Sequence, residues 1–387
     1  MDNATAVADR FIVAATAPRS AHASGTLEEA DALLAGVAAS DIYIAAILGD
    51  AARVRVLLAE DAARATARGG PYEWDALTYL CFSRYLRLRG SDEFVRAAEA
   101  LLDAGADPGT GFFEPGHRPA PTFESALYGA AGVAHHAGLT RLLLARGADP
   151  NAGGEVGYHA PEGFDNEAML AVVESGRLDA SGLTTMLHRK LDWTDLEGVR
   201  ALLEYGADPN AVSAWGDRAL HHSLARGNAL PLLEALLDAG ADPSLGNPRH
   251  HDLSAHAVAA RMGRADALEL FERHGCVPED TFFVALTRAD ADRARALMPE
   301  RFEYDVVATL AGSGNAPALE LALDLGLRLS DAALPTAVWR ERAGAVRVLL
   351  ARGAVVTPEV RALAERAQHE YSEWTPHHSR AIIKLLE

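Results

Sequence analysis

DRALHHSLARGNALPLLEALLDAGADPS, residues 217–244, decides the fold. Asp217-Arg218-Ala219-Leu220-His221 opens a short helical run that Gly227 closes, and Asn228 begins a second run. In the second run Leu232, Leu233, Leu236 and Leu237 form the i, i+3/i+4 apolar stripe of an amphipathic helix. Gly240 ends that helix, because glycine enters the left-handed region without a Cβ penalty. Ala241-Asp242-Pro243 then turns the chain, since proline cannot continue a helix. A single helix pair of this size cannot bury its own apolar stripe, so the chain has to repeat it.

The unit does repeat. Gly-Ala-Asp-Pro recurs at Gly105, Gly147, Gly206 and Gly240, and the last two glycines lie 34 residues apart. A gap of 59 residues between Gly147 and Gly206 holds a shorter, degenerate unit ending at Ser175-Gly176. Weaker copies end at His274-Gly275, Leu325-Gly326 and Arg352-Gly353. The pattern resembles the ankyrin-repeat family, whose period is about 33 residues, with residues 217–221 in the register of its Thr-Pro-Leu-His start. The resemblance covers nearly the whole chain and is specific from about Gly69 to Gly275. Gly69-Gly70-Pro71-x-x-Trp74, with Leu77, Tyr79, Ser83 and Arg84, is also similar to a group of bacterial ankyrin proteins without an assigned activity. The expected fold is therefore a mainly α ankyrin-repeat solenoid of about 10–12 stacked helix pairs, with hairpin-like loops in the central repeats.

The 387 residues are expected to form a single solenoid, because each repeat touches only its neighbours. Residues 1–38 make an N-terminal capping pair, where Thr26 and Glu29 have the spacing of a capping box. Residues 39–275 hold the clearer repeats, with helices expected at 75–88, 123–133 and 155–162 among others. Residues 109–121, rich in Gly and Pro around Phe112 and Phe113, form an insertion, and long loops in compact arrays are usually functional or disordered. Residues 276–357 are degenerate short repeats with tight loops, and 358–387 are a C-terminal cap.

A formal net charge of −18 disfavours binding to nucleic acid or to an anionic membrane. No apolar run is long enough to span a bilayer. The short apolar run 11–15 follows Asp2 and Asp9 where a signal peptide needs basic residues, so a cytoplasmic protein is expected. Cys81 and Cys276 fall in different repeats and are expected as thiols rather than a disulfide or metal pair.

Histidines occur as adjacent pairs, at 135–136, 221–222, 250–251 and 377–378. Neighbours on a helix point about 100° apart and seldom share a metal, whereas zinc sites on helices use i, i+4 spacing. His159, His188 and His221 occupy the position at which the family's histidine bonds the backbone of neighbouring turns. No phosphate loop, nucleophile elbow or His-Glu-x-x-His is present. Neither enzymatic activity, nor a metal, nor a cofactor is expected.

The family resemblance implies partner recognition through a concave groove lined by the ends of the first helices and by the hairpin tips. In that register fall Phe82 and Ser83, Phe164, Asp192 and Trp193, then Arg226, Arg261, Arg288, Trp339 and Arg340. Trp74 and Asp217 precede the motif start, and Trp215 sits at a hairpin tip. Large indoles at solvent-facing positions are typical of binding hot spots. The expectation is an interaction scaffold for a protein partner, with aromatic contacts early in the groove. Its later arginines suit an acidic or phosphorylated segment. The alternative is a small-molecule or peptide pocket, formed where the insertion with Phe112 and Phe113 folds over Tyr72, Trp74 and Phe82.

Overall fold

The computed structural model describes residues 3–17, 25–37, 41–87, 91–116, 118, 120–277, 279–370 and 381–386. The adjacent histidines at 377–378 lie outside them. Two compact units emerge, Met1–Ala214 and Trp215–Glu387, and each is a row of helix pairs.

The first unit pairs Asn3–Ala15 with Leu27–Leu34, Ile42–Ile47 with Ala51–Glu60, and Ala76–Cys81 with Ser91–Asp103. Ala126–Tyr128, extended by a π turn at Gly129–Val133, pairs with Ala137–Ala145. Glu155–His159 pairs with Glu167–Glu174, and Ala180–Asp192 with Leu196–Glu204. Successive pairs stack like upon like: Ile42–Ile47 packs on Ala76–Cys81, and Ser91–Asp103 bridges Ala51–Glu60 and Ala137–Ala145.

The second unit holds Ala219–Arg226 with Leu230–Asp238, Ala255–Arg261 with Ala265–Arg273, and Phe282–Thr287 with Ala291–Ala296. Val306–Ser313 with Ala316–Asp324, Ala333–Trp339 with Ala343–Ala351, and Pro358–Glu370 with Ala381–Leu386 complete it. Each unit thus has six pairs among the described residues, which meets the expected number of pairs.

Every letter of Gly-Ala-Asp-Pro has a physical task. At Gly240 φ is +90°, and Gly240 N–H donates to Leu237 O (2.9 Å) while Ala241 N–H donates to Leu236 O (2.9 Å). Those two bonds satisfy the helix's last carbonyls as a Schellman cap. Ala241 is buried against the next pair, and Asp242 accepts from Ser244 N–H (2.8 Å) to hold the turn. The same bonds recur at Gly105, Gly147 and Gly206, with Asp107, Asp149 and Asp208 in the role of Asp242. Helix starts are fixed as regularly: Asp50, Asp75, Asp179, Asp195, Asp290 and Asp305 each accept a backbone N–H of the first turn. The capping box of Thr26 and Glu29 forms as the spacing predicts.

Hairpins lie where the central repeats are expected to carry them. Gly69 bridges Trp74, β1 (Gly111–Glu114) pairs with β2 (Thr122–Ser125), and β3 (Gly246–Asn247) pairs with β4 (Leu253–Ser254). Within the insertion residues 111–114 are therefore the first strand of a hairpin, and residues 122–125 are strand rather than the start of a helix at 123. Two other expected helices are shorter: Ala76–Cys81 gives way to a 3-10 turn at Arg84–Arg87, and Glu155–His159 stops before Pro161. Proline lacks the N–H that continuation would need.

Candidate partner-binding cleft

In the first unit the turns that join the helices of successive pairs come together. Residues 134–136, 162–165 and Trp193, with Leu86 and Arg87, line a cleft of about 490 Å³. Each turn passes through the left-handed region, at His135 (φ 51°), Gly163 (φ 85°) and Thr194 (φ 53°). Phe164 is 64% exposed and meets the Trp193 ring edge-on, with centroids 6.0 Å apart at 89°. An edge-to-face aromatic pair open to solvent is an anchor of the kind that interfaces bury.

Beneath this wall lies a buried lysine. Lys190 Nζ donates to Gly163 O (2.8 Å) and pairs with Asp195 (2.9 Å). Asp195 also accepts from Asn166 Nδ2 (2.9 Å) and Gly198 N–H (3.0 Å). Burial pulls Lys190 below the usual lysine value, against the opposing pull of Asp195, whose own carboxyl is held low by these donors despite its burial. The arrangement staples the turn carrying Phe164 to the helix that ends at Trp193. On the polar flank Arg189 joins Asp192 (2.7 Å) to Glu162 (3.1 Å) and lies over the Tyr158 ring (4.3 Å). His136 Nδ1 accepts from Leu139 N–H (3.0 Å), leaving Nε2 as the imidazole's donor, buried and unpartnered among the described residues.

Several residues expected in the groove are interior instead. Trp74 (3% exposed), Phe82 and Phe112 form one aromatic core, with Phe112 stacked on Trp74 at 4.1 Å and edge-on to Phe82 at 5.3 Å. The insertion does fold over Trp74 and Phe82, but the rings themselves fill the space between. Strand alternation sends Phe112 inward and its neighbour Phe113 out, 68% exposed. Ser83 is buried, donating to Ile47 O and accepting from Tyr85 N–H. Asp217 is also buried, held by Arg249 (2.8 Å) and Asn247 Nδ2 (3.0 Å) of the following hairpin, with His250 Nε2 3.2 Å away. These positions face the neighbouring repeat because the hairpins cover them.

Trp215 is 43% exposed, and Trp339 is half-buried with Arg366 over its ring at 5.4 Å. Of the four arginines expected in one row, Arg288 pairs with Glu272, and Arg261 lies on the rings of Phe283 (5.3 Å) and Tyr304 (6.0 Å). Arg226 and Arg340 are exposed. The three motif histidines also divide. His221 Nε2 bonds Leu253 O (2.9 Å) of the next hairpin, as expected. His188 instead bonds Thr184 O (2.8 Å) of its own helix, and His159 sits between Glu155 (3.2 Å) and Glu162 (2.8 Å).

A family described as ankyrin repeats (many copies) matches residues 187–237. Human cyclin-dependent kinase 4 inhibitor B is 39% identical over 101 residues, which are 26% of this chain and 68% of that protein. The chain belongs to the ankyrin-repeat family. The mouse cyclin-dependent kinase 4 inhibitor B is 40% identical over 80 residues, covering 21% of this ankyrin-repeat chain and 59% of that relative. Among solved structures, the human ASB11 ankyrin repeat domain aligns with 62% of the chain and 99% of its own length, at 20% identity and a TM-score of 0.46. The ankyrin repeat domain of Bcl-3 aligns with 60% and 97%, at 21% identity and a TM-score of 0.46. No helix among the described residues of this ankyrin-repeat protein is long and apolar enough to cross a membrane.

Proposed function

We propose that this ankyrin-repeat chain is a protein-interaction module without catalytic activity, whose partner seats on the cleft around Phe164 and Trp193. The observation that carries this reading is the solvent-open aromatic pair, with Phe164 64% exposed, on a turn that a buried Lys190 staple holds in place. A rigid anchor loses little conformational freedom on binding, which favours affinity. The flanking Glu162, Arg189 and Asp192 are already satisfied by one another, so they supply a polar rim rather than a reaction. The sequence relatives, inhibitors of a cyclin-dependent kinase by name, act on another protein. In the second unit the exposed Arg226 and Arg340 favour acidic or phosphorylated side chains in a segment that meets that unit.

The test compares the wild-type chain with Phe164→Ala/Trp193→Ala in affinity capture from native cells, with proteins quantified by mass spectrometry. Phe164 is exposed and Trp193 is half-buried at the end of its helix, outside the stacked core, so the double variant is expected to melt within a few degrees of wild type. At least one protein recovered by the wild type should be lost by about tenfold or more with the variant, as expected when a hot spot of 2 kcal/mol or more is truncated. Equal recovery of every captured protein by both chains would reject the cleft.

A further inference from the structure

In the second unit, turns from four helix pairs meet around one cavity of about 440 Å³: residues 227–229, 263–266 and 313–315, with Arg342. The convergence is close. A Cβ on Gly314 would lie 2.8 Å from Arg342 Cδ, and one on Gly227 would lie 3.5 Å from Arg340 Nη1. Asn315 Nδ2 ties the cluster together by donating to Gly263 O (2.9 Å) and Thr287 O (2.8 Å).

Two guanidinium groups, those of Arg264 and Arg342, line the cavity, and the exposed Arg340 reaches its rim beside Gly227. Arg264 is locked on Asp266 by two bonds (2.8 and 2.9 Å) and donates to Asn228 O (3.2 Å). Arg342 Nε donates to Gly312 O (3.1 Å), which orients its head, and neither Arg342 nor Arg340 forms an ion pair among the described residues. Arg342 is half-buried. Burial first, and then the charges of Arg264 and Arg340, pull it below the usual arginine value, while Asp266 and Glu341 act the other way.

We infer that this cradle binds a phosphate-type oxyanion, either inorganic phosphate or a phosphomonoester presented on a side chain. Arg264 is already neutralised by Asp266, so the two guanidiniums without carboxylate partners match a dianion. Planar guanidinium heads suit two-point contact with phosphate oxygens. Three of the four second helices that start here, Leu230–Asp238, Ala265–Arg273 and Ala343–Ala351, have no side-chain acceptor at their N-caps, which are Ala229, Arg264 and Arg342. Elsewhere in the chain that position is commonly an aspartate that would repel an anion. The oxyanion chemistry stands on this geometry alone; delivery of the phosphate by a protein partner rests on the reading proposed above.

Titration calorimetry of the full chain with inorganic phosphate, against sodium chloride of equal ionic strength, tests the site. A phosphoserine peptide and its unphosphorylated form supply the second arm. Saturable, phosphate-specific binding is expected, weakened about tenfold or more by Arg342→Gln and by Arg340→Gln, the loss that follows removal of a charge-assisted hydrogen bond. Arg340 is exposed and forms no ion pair among the described residues, so its variant keeps the test valid should Arg342→Gln unfold. Tighter binding of the phosphopeptide than of phosphate would identify a side-chain phosphate as the ligand; equal or weaker binding would identify the free ion. No binding beyond the chloride control, or binding unchanged in both variants, would overturn the site. Phe164→Ala/Trp193→Ala should leave phosphate binding intact, which keeps a failure here separate from a failure of the aromatic cleft.

Discussion

Lys190 is held inside the protein by two acceptors, Gly163 O and the Asp195 carboxylate. A buried cation left alone would be strongly unfavourable, and so would the carboxylate left behind if the lysine were removed. Lys190→Met is therefore expected to destabilise the chain by about 3 kcal/mol, the cost of breaking a buried pair from one side. Urea unfolding followed by tryptophan fluorescence measures this, and Lys190→Met/Asp195→Asn should recover part of the loss. An unchanged midpoint would show that the staple does not hold the Phe164 turn. The sequence marks this residue only faintly. Lys190 precedes Leu191 and follows Leu187 on a helix face that otherwise turns inward, and lysine is otherwise found only at position 384.

At the scale of the element, the repeat was legible because its signals are local. Gly-Ala-Asp-Pro encodes a left-handed residue, a small buried one, a turn acceptor and a helix stop, and all four act within a few residues of themselves. Gly240 has open space around the place a Cβ would occupy, so its requirement is conformational and not steric. Gly240→Ala is expected to cost about 1 kcal/mol, the left-handed penalty reduced by a stiffer unfolded chain. Gly111 is the contrast, since a Cβ there would lie 2.2 Å from Glu124 O across the hairpin, so Gly111→Ala should cost more. Thermal unfolding of both variants checks the order; a larger loss at Gly240 would contradict it. What the sequence left hidden is tertiary. Register alone cannot say that a hairpin covers Trp74 and Asp217, or that Ser83 bonds Ile47 O across the preceding pair. Arg264 and Arg342 escaped notice because each stands just before a second helix, where an aspartate cap is the common choice.

On the scale of the whole molecule, a chain with a net charge of −18 places the aromatic pair of Phe164 and Trp193 in one unit and, in the other, Arg340 and Arg342, which form no ion pair among the described residues, all on the turns between helices. The apolar stripes of the second helices are consumed by stacking; Leu232, Leu233, Leu236 and Leu237 are all buried. Recognition is left to the turns, whose positions the stacked pairs fix. Loops on a rigid scaffold are where binding residues concentrate, because scaffold packing bears the stability and leaves the turn side chains free to serve a partner. The most direct measurement is hydrogen–deuterium exchange of the full chain with and without a partner recovered by capture. The account predicts slowed exchange at residues 132–136, 162–165 and 192–194, the turns that surround Phe164 and Trp193. Protection confined to the second helices, Ala137–Ala145, Glu167–Glu174 and Leu196–Glu204, with those turns unchanged, would contradict it.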